Sequence, residues 1–332
     1  MADLAKLVST YVVDRQLMAK LHYQPLDTVT FLAQGEYNRN FLLTTTTQEK
    51  LVFRINYGSQ INVVQQARYE YEALQLLKPS QRTPEPLYLD DTRTFFEQDI
   101  MIETFLPGQP LNYQRDLQTA AEIFAAIHNL PVTPQAYQAL KTETKLCTAR
   151  LQEADELLQP VKTTDKLAPA EIQLLLALRQ WCDTHNADAY FAQQPQCLVN
   201  TEVNANNFLI TPTTGYLIDW EKPVISNSVQ DLTQFMVETT TLFRTTTVLT
   251  PAEVTGFLTR YSQLTQQPMP QLRANIAHYM PFLLLRALSW CGMLVATYDQ
   301  KPIQNVEILH KCQSFLQVDF AKPLLAKYGV IL

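Results

Sequence analysis

The residues with the clearest potential for chemistry form a cluster of amides and carboxylates in the middle of the chain. The cluster reads Asn200-Thr-Glu-Val-Asn-Ala-Asn-Asn207, and a short apolar segment later comes Asp219-Trp-Glu221. Apolar pieces flank both groups, so we expect these polar side chains at the ends of short strands. Asn207 and Asp219, on adjacent loops, could hold Mg²⁺ through oxygen ligands, beside Glu202 as a base that orients a hydroxyl group.

The same residues also fit a plainer structure. Asn and Asp are common turn formers, and two polar hairpin turns would use them without any chemistry. Taken alone, the cluster does not decide between a metal-dependent transfer site and a pair of turns.

The small number of glycines limits the kind of phosphate-binding loop. The chain has only 7 glycines, and they are widely separated. This excludes both GxGxxG and GxxxxGK[ST], and with them a Rossmann dinucleotide site and a Walker-type P-loop. Any phosphate-binding loop must be built around a single glycine.

The elements that position the cluster change character along the chain. Before residue 105, short segments rich in β-branched and aromatic residues predict strands, and residues 63–78 have the 3, 4 and 7 spacing of a helix. The predicted strands are DTVTFLA (27–33), NFLLTTT (40–46), KLVFRIN (50–56), PLYLD (86–90) and QDIMIET (98–104). The inward stripe of the helix consists of Ala67, Glu70, Tyr71, Leu74 and Leu77.

From Asp116 onward, long helical patterns dominate. We predict helices over residues 117–130, 168–191, 251–264 and 272–298, with three short strands, QCLV, NFLI and YLID, between them. The sequence therefore predicts an α+β protein with a β-rich N-terminal lobe, a hinge at Glu103 to Gly108 and a larger helical lobe. Clefts between two lobes are common ligand sites.

Composition excludes several classes of protein. The 332 residues are 46% hydrophobic and 17% charged, which fits a globular chain of one large or two smaller domains. The net charge is -6 and no basic run appears, so nucleic acid is not an expected partner. The N-terminal segment carries charges such as Asp3 and Lys6 where a signal peptide needs an apolar core, so we expect a cytoplasmic protein.

Two further features bear on membranes and on metal or disulfide sites. The most apolar stretch, residues 280–298, contains Pro281 and Arg286, so we interpret it as a buried core helix and expect no membrane partner. The 5 cysteines are odd in number and lack CxxC spacing, which predicts reduced core thiols.

With these residues in view, the chain resembles the aminoglycoside phosphotransferase and choline kinase family over about residues 27 to 235. The HxDxxxxN loop of that family matches Asn200, Glu202 and Asn207, and its IDW[ED] metal motif matches Ile218 to Glu221 intact. A downstream element matches Gln230-Asp231-Leu232, where Asp231 would brace the loop. The resemblance implies the two-lobed protein-kinase-like fold.

The resemblance also implies roles in the N-terminal lobe. The family's GxxN loop over the phosphates resembles Gly35-Glu36-Tyr37-Asn38, and its strand cation corresponds to Arg54. Its helix glutamate would be Glu70, which we prefer to Glu72. The hinge groups that hydrogen-bond adenine would be backbone atoms near Glu103 and Phe105. His128 matches a family histidine that is usually structural.

The chain departs from the family pattern at two positions. Arg54 replaces a lysine, and a guanidinium keeps the charge and can bind phosphate or Glu70 through two hydrogen bonds. Glu202 replaces the catalytic aspartate and Asn200 the histidine, which places the carboxylate one methylene further out. The change at Glu202 and Asn200 bears on catalytic turnover and not on nucleotide binding.

We therefore predict an ATP- and Mg²⁺-dependent phosphotransferase that acts on a small-molecule hydroxyl, with lobes at 1–103 and 104–332. In it, Asn207 and Asp219 hold the metal, Arg54 the phosphates, and Glu202 orients the acceptor. Two alternatives remain open: a nucleotide-binding pseudokinase, and a module that binds a metabolite or protein without ATP. The oligomeric state is also open.

Charge along the helical lobe bears on the acceptor. Residues 221–332 contain 7 acids and 9 bases, although the whole chain is negative. Desolvated ammonium groups need paired carboxylates. The segment therefore favours a neutral or anionic acceptor over an aminoglycoside or choline.

Overall fold

A computed structural model gives the fold and describes residues 2–35, 37–59, 63–300 and 304–332. The N-terminal lobe consists of two helices, three strands, a third helix and two further strands. In chain order these are α1 (Ala2–Asp14), α2 (Leu17–Lys20), β1 (Leu26–Gln34), β2 (Asn38–Thr45), β3 (Lys50–Asn56), α3 (Gln66–Leu77), β4 (Pro86–Asp90) and β5 (Asp99–Thr104).

The five strands form one antiparallel sheet in the order β1-β2-β3-β5-β4. Successive side chains of a strand point to opposite faces. On β3, Phe53 and Ile55 therefore pack into the core under α1, together with Val8 and Tyr11. Arg54 points to the other face, where α3 lies. The alternation of one strand thus separates the core of the lobe from its cleft face.

The C-terminal lobe is mainly helical, with four short strands between α8 and α9. Its elements are α4 (Leu117–His128), α5 (Pro134–Ala139), α6 (Leu146–Leu157), α7 (Pro169–Thr184), α8 (Asp188–Phe191), β6 (Cys197–Val199), β7 (Phe208–Ile210), β8 (Gly215–Leu217), β9 (Val224–Ser226), α9 (Val229–Met236), α10 (Glu238–Arg244), α11 (Pro251–Thr265), α12 (Met269–Thr297), α13 (Val306–Leu316) and α14 (Val318–Lys327). Strand β6 pairs with β9, and β7 pairs with β8.

Helix α12 is the central helix of this lobe. It packs against α6, α7, α9 and α13, and most of its residues between 279 and 296 are buried. The span Met269–Gln300 is long and apolar enough to cross a membrane by length and composition alone, but 67% of its most apolar window is buried inside the protein. The prediction of a buried core helix over residues 280–298 is confirmed.

Most predicted elements are present, with some corrections. The predicted helix over 168–191 is two helices, because the chain turns at residues 185–187 and Asp188 begins α8. Asp188 also accepts hydrogen bonds from the backbone N–H groups of Cys147 and Thr148 at the start of α6. The predicted strand YLID ends at Leu217, so Asp219 lies outside it. All five cysteines are free and buried, as predicted.

Several helices were not predicted, namely α1, α2, α5, α6, α9, α10, α13 and α14, and neither was strand β9. Four of these helices, α2, α5, α9 and α10, have eight residues or fewer, and α1 packs against a distant part of the chain. Its Tyr11 packs between Phe53 and Phe96. The boundary between residues 103 and 104 stays a prediction, and β5 continues across it to Thr104.

The linker after β5 lies against the β7–β8 hairpin. Gln109 and Ile210 exchange backbone hydrogen bonds of 2.9 and 2.8 Å. Next to this bridge, Gly108 has φ +151°, and a Cβ there would lie 2.7 Å from the backbone carbon of Leu209. The close approach of the two segments therefore requires glycine at this position.

We expect Gly108→Ala to destabilise the protein by about 2 kcal/mol, because the methyl group meets backbone and the φ angle is unfavourable for alanine. Gly256→Ala is the matched control: it lies in α11 and its Cβ would meet nothing closer than 3.8 Å. That change should stabilise the protein by about 0.5–1 kcal/mol. Urea unfolding measures the change in unfolding free energy for both variants. Equal changes would show that the packing of the linker does not require glycine at position 108.

Candidate active site

Arg54 lies at the centre of the cleft face of the N-terminal lobe. Its Nη2 is 3.1 Å from Glu70 Oε1 on α3, and its Nη1 is 3.4 Å from Glu103 Oε1 on β5. All three side chains are almost fully buried. Glu72, the competing candidate on the same helix, has no ion pair with Arg54 among the described residues. The cation is thus held by two acids of its own lobe.

Two acids of the C-terminal lobe face the same guanidinium. Arg54 Nη2 is 3.9 Å from Asp219 Oδ1 and 3.7 Å from Glu221 Oε1. Four carboxylates therefore surround one cation in this part of the described structure. Such a concentration of like charge destabilises the ionised forms unless a further cation is bound.

The pKa values reflect this imbalance. Burial raises the pKa of Glu70 and of Glu103, and the attraction of Arg54 only partly opposes that effect. Burial, followed by repulsion from Glu221, raises the pKa of Asp219 to about 6. The Asp219 side chain is nevertheless 42% exposed, because it faces the open cleft. A cation that enters from the cleft would reach this carboxylate directly.

The segments that carry Asp219 and Asn207 are joined by a backbone hydrogen bond. Ile218 N donates to Asn207 O at 2.8 Å, which places the residue after Ile218 beside the loop that carries Asn207. Asp219 has φ 64°, a left-handed conformation that aspartate tolerates better than most residues. Trp220 is fully buried behind it and donates from Nε1 to Leu217 O. The metal motif is therefore anchored by its tryptophan.

Asp231 organises the loop that carries the candidate base. It is fully buried, and its two carboxylate oxygens accept the backbone N–H groups of Asn200 and Thr201 at 2.9 and 2.8 Å. His128 Nε2 lies 3.2 Å from the same carboxylate, and its other ring nitrogen is 2.9 Å from the hydroxyl of Tyr261. His128 is a buried member of this network and lies away from the cleft.

Asn200 links the two loops. Its side-chain nitrogen donates to Asp219 O at 3.0 Å, and its Oδ1 accepts from Glu202 N at 2.9 Å. The intervening Thr201 has φ 66°, which is strained for a β-branched residue. The bond from Thr201 N to Asp231, together with the bond from Thr201 Oγ1 to Lys222 O, holds this conformation.

The Glu202 carboxylate lies between two cations. Lys222 Nζ is 2.5 Å from Glu202 Oε1, and Arg286 Nη2 on α12 is 3.6 Å from the same oxygen. The side chain is 33% exposed, so it remains accessible from the cleft. Neither cation was predicted for the site. Lys222 directly follows the metal motif, and an arginine inside the most apolar stretch is itself a signal of a buried ion pair.

Asn207 is held so that its amide oxygen is the atom left for a ligand. Its nitrogen donates to Glu202 O at 2.6 Å. Within the described ranges, no group of three or more His, Cys, Asp or Glu side chains is arranged to hold a metal by itself. Mg²⁺ usually takes only one or two carboxylates and completes its shell with phosphate and water oxygens. Asn207 and Asp219 fit that mode of binding.

The predicted phosphate loop is placed beside these acids. Asn38 donates from Nδ2 to Glu221 Oε1 and accepts from Asn56 Nδ2 at 3.0 Å. Gly35 N donates to Asn38 O at 2.9 Å, and a Cβ on Gly35 would meet no described protein atom closer than 3.9 Å. Glu36, part of the same motif, lies outside the described residues. Asn38 thus connects the loop to the C-terminal lobe.

At the hinge, the side chain of Glu103 has a contact that was not predicted, its ion pair with Arg54. The backbone of Glu103 lies in the sheet between Val52 and Pro86, and Thr104 N donates to Glu85 O. Phe105 is the first residue beyond the strand, and Lys50 Nζ lies 5.5 Å from its ring. The adenine contacts of Glu103 and Phe105 stay predictions.

We expect Asp231→Asn to destabilise the protein by about 2–4 kcal/mol, because an NH₂ group would face a backbone N–H in a fully buried site. Asp183→Asn is the control, since Asp183 is 62% exposed and its one ion pair in the described part of the chain is with Arg179 on its own helix. That change should cost less than about 0.5 kcal/mol. Urea unfolding of both variants checks this, and a small loss for Asp231→Asn would show that the carboxylate does not hold the loop.

Comparison with known proteins agrees with this geometry. Residues 28–274 match the model of the phosphotransferase enzyme family, APH. A comparison with curated protein sequences gave no match.

Solved structures with similar folds include three phosphotransferases or kinases of small molecules. A spectinomycin phosphotransferase in complex with ADP and spectinomycin is 14% identical, has a TM-score of 0.65, and covers 95% of this chain and 98% of its own. An ethanolamine kinase from Plasmodium vivax is 13% identical, with a TM-score of 0.63 and coverage of 90% and 83%. A macrolide 2'-phosphotransferase from Brachybacterium faecium is 15% identical, with a TM-score of 0.60 and coverage of 91% and 96%.

These likenesses extend over both lobes, and at such identities they establish the shared fold. The family match covers about three quarters of the chain and includes Arg54, the loop of Glu202 and the metal motif. The protein therefore belongs to the phosphotransferase enzyme family and has its two-lobed, protein-kinase-like fold.

Proposed function

We propose that the protein transfers the γ-phosphate of ATP, with Mg²⁺, to a hydroxyl group of a small neutral or anionic molecule. One observation carries the proposal. The candidate base and both candidate metal ligands form a single hydrogen-bonded unit, in which Asn207 joins the backbone of Glu202 to the segment of Asp219. Phosphoryl transfer needs this combination of a metal and a group that positions the acceptor.

Each residue then has a distinct task. Asp219 Oδ and Asn207 Oδ1 would hold Mg²⁺, which supplies charge neutralisation for the phosphates. Glu202 would orient the acceptor hydroxyl and accept its proton. Arg54 would face the phosphates from the N-terminal lobe, although its two nearest partners are Glu70 and Glu103. We therefore infer that Arg54 contributes to nucleotide binding mainly by holding Glu70 and Glu103 in position.

The contacts of Glu202 favour one alternative, a nucleotide-binding pseudokinase. Its Oε1 is occupied by Lys222 and Arg286, so this oxygen is not free to accept a hydrogen bond from an acceptor hydroxyl. Only Oε2 would then be available to a hydroxyl.

An activity assay decides between a phosphotransferase and a pseudokinase. If the protein is a phosphotransferase, a metabolite library incubated with ATP and Mg²⁺ should yield a product with the mass gain of one phosphate. Binding of ATP without any such product would favour the pseudokinase.

The acceptor preference is supported by the ion pairs around Glu202. Glu153 lies 3.0 Å from Arg286 and 3.3 Å from Arg150, and Glu143 lies 2.8 Å from Arg150. These acids are already paired with cations, so they offer little to an ammonium group. Of the nine bases counted from the sequence, Lys301 lies outside the described residues.

The metal assignment predicts that ATP raises the melting temperature more with Mg²⁺ than without it, because a ligand that binds only the native state stabilises it. Asp219→Asn should abolish this Mg²⁺-dependent increment. The exposed Asp165→Asn is the control and should keep it. Differential scanning fluorimetry measures both, and an undiminished increment in folded Asp219→Asn would refute the metal site.

The base assignment predicts that Glu202→Gln lowers kcat by roughly 10²- to 10⁴-fold and leaves ATP affinity nearly unchanged. Glu202→Asp should give an intermediate loss, because its side chain is one methylene shorter and places the carboxylate further from the acceptor hydroxyl. The exposed Glu156→Gln serves as the control. Steady-state kinetics with an acceptor from the library and calorimetry with ATP provide the measurements. Full turnover by Glu202→Gln would exclude Glu202 as the base.

A further inference from the structure

Helix α12 exposes one narrow stripe within an otherwise buried segment. Between Tyr279 and Thr297, the residues that are not buried are Arg286, Ala287, Trp290, Met293 and Thr297. Most of them follow the spacing of three and four residues that places side chains on one face of a helix. Because the rest of this segment packs into the core, the stripe is the only part of it that can contact a ligand.

The stripe begins at the candidate base. Arg286 Nη2 lies 3.6 Å from Glu202 Oε1, so this end of the stripe borders the site of phosphoryl transfer. Trp290 lies four residues further, slightly more than one helical turn or roughly 6 Å along the axis. A small molecule whose hydroxyl meets Glu202 would therefore extend along α12 towards Trp290.

Trp290 and Phe243 form an aromatic corner about one helical turn away from Arg286. Phe243 of α10 stands edge-on to Trp290, with 6.1 Å between the ring centroids and an interplanar angle of 68°. Trp290 is 36% exposed and Phe243 is partly buried. Two aromatic rings at an angle, with Met293 on the next turn, form a surface that binds flat apolar groups. Isolated exposed aromatic residues are ordinary, but Trp290 lies on the same helix face as Arg286, which contacts Glu202.

The charges beside the corner oppose a polycation. The carboxylates nearest to Arg286 are Glu153 and Glu202, and both are paired with cations. An ammonium group buried here would lack a free carboxylate and would approach Arg286 and Lys222, at a high cost in desolvation and repulsion. An uncharged ring meets no such penalty.

We infer that the acceptor is a hydroxyl compound without ammonium groups that carries an apolar ring, with its hydroxyl at Glu202 and its ring against Trp290 and Phe243. The inference rests on the proposed transfer reaction and adds the chemical class of its acceptor. It assigns Trp290 and Phe243 to specificity and leaves the chemistry to Glu202 and the metal ligands.

Matched acceptors test the inference. The methyl and phenyl β-glycosides of glucose, galactose and mannose differ within each pair only in the apolar ring, and kanamycin and choline represent the cations. With ATP and Mg²⁺, we expect phenyl glycosides to have a KM about tenfold lower than their methyl partners, and the cations to be poor acceptors. Efficient phosphorylation of either cation, or equal KM values within every pair, would overturn the inference.

Variants locate the effect. Trp290→Ala should remove the preference for phenyl over methyl, and Trp290→Leu should retain part of that preference with less risk to folding. Tyr137→Ala on α5 is the control, since Tyr137 is 48% exposed and does not border Glu202 in the described contacts. An undiminished phenyl preference in both Trp290 variants would refute the role of the aromatic corner.

A binding measurement separates failure of the inference from failure of the proposed function. Calorimetry with a non-hydrolysable ATP analogue and Mg²⁺ should show tighter binding of phenyl than of methyl glycosides, again dependent on Trp290. If this preference is present but no acceptor is phosphorylated, the pocket is as inferred and the transfer reaction fails. If phosphorylation occurs without any ring preference, the reaction stands and the inferred acceptor class is wrong.

Discussion

The structure of the cleft depends on the unequal balance of charge around Arg54. A buried guanidinium must be paired, and the acids that pair with it come from β5, α3 and the segment after β8. One positive charge therefore constrains the relative positions of the sheet, its helix and the C-terminal lobe. The remaining negative charge is exposed towards the cleft at Asp219. We regard this surplus as the physical basis for a divalent cation with bound phosphates.

The loop of Glu202 shows how a site can keep its geometry when a residue of the family pattern is replaced. Asn200 stands where the family has histidine, yet it donates to the backbone of Asp219 and accepts from that of Glu202. Its own N–H is held by Asp231 in the protein interior. An amide suffices here because the position needs one donor and one acceptor. The strained backbone at Thr201 persists because its N–H is bonded to Asp231 and its hydroxyl to the backbone of Lys222.

Glu202, which replaces the aspartate of the family pattern, forms ion pairs with two cations. A longer side chain reaches Lys222, next to the metal motif, and Arg286, on a helix far along the chain. Arg286 also pairs with Glu153, so neither Glu153 nor Glu202 is free to pair with the ammonium groups of a polyamine. Glu202 is thus linked to Glu153 through Arg286, which contacts both carboxylates.

The amino-acid sequence alone determined the local elements and the identity of the chemical groups. The residue pattern predicted the strand that carries Arg54, helical spacing turned Glu70 inward, and the intact family motif marked Asp219. The first two follow from periodicity, and the third follows from residues adjacent in the chain. Only the tertiary structure decided that Glu103 pairs with Arg54, that Arg286 reaches Glu202, and that Phe243 meets Trp290. Such contacts join residues on separate elements, and their distances depend on how whole helices and sheets pack, which no local pattern encodes.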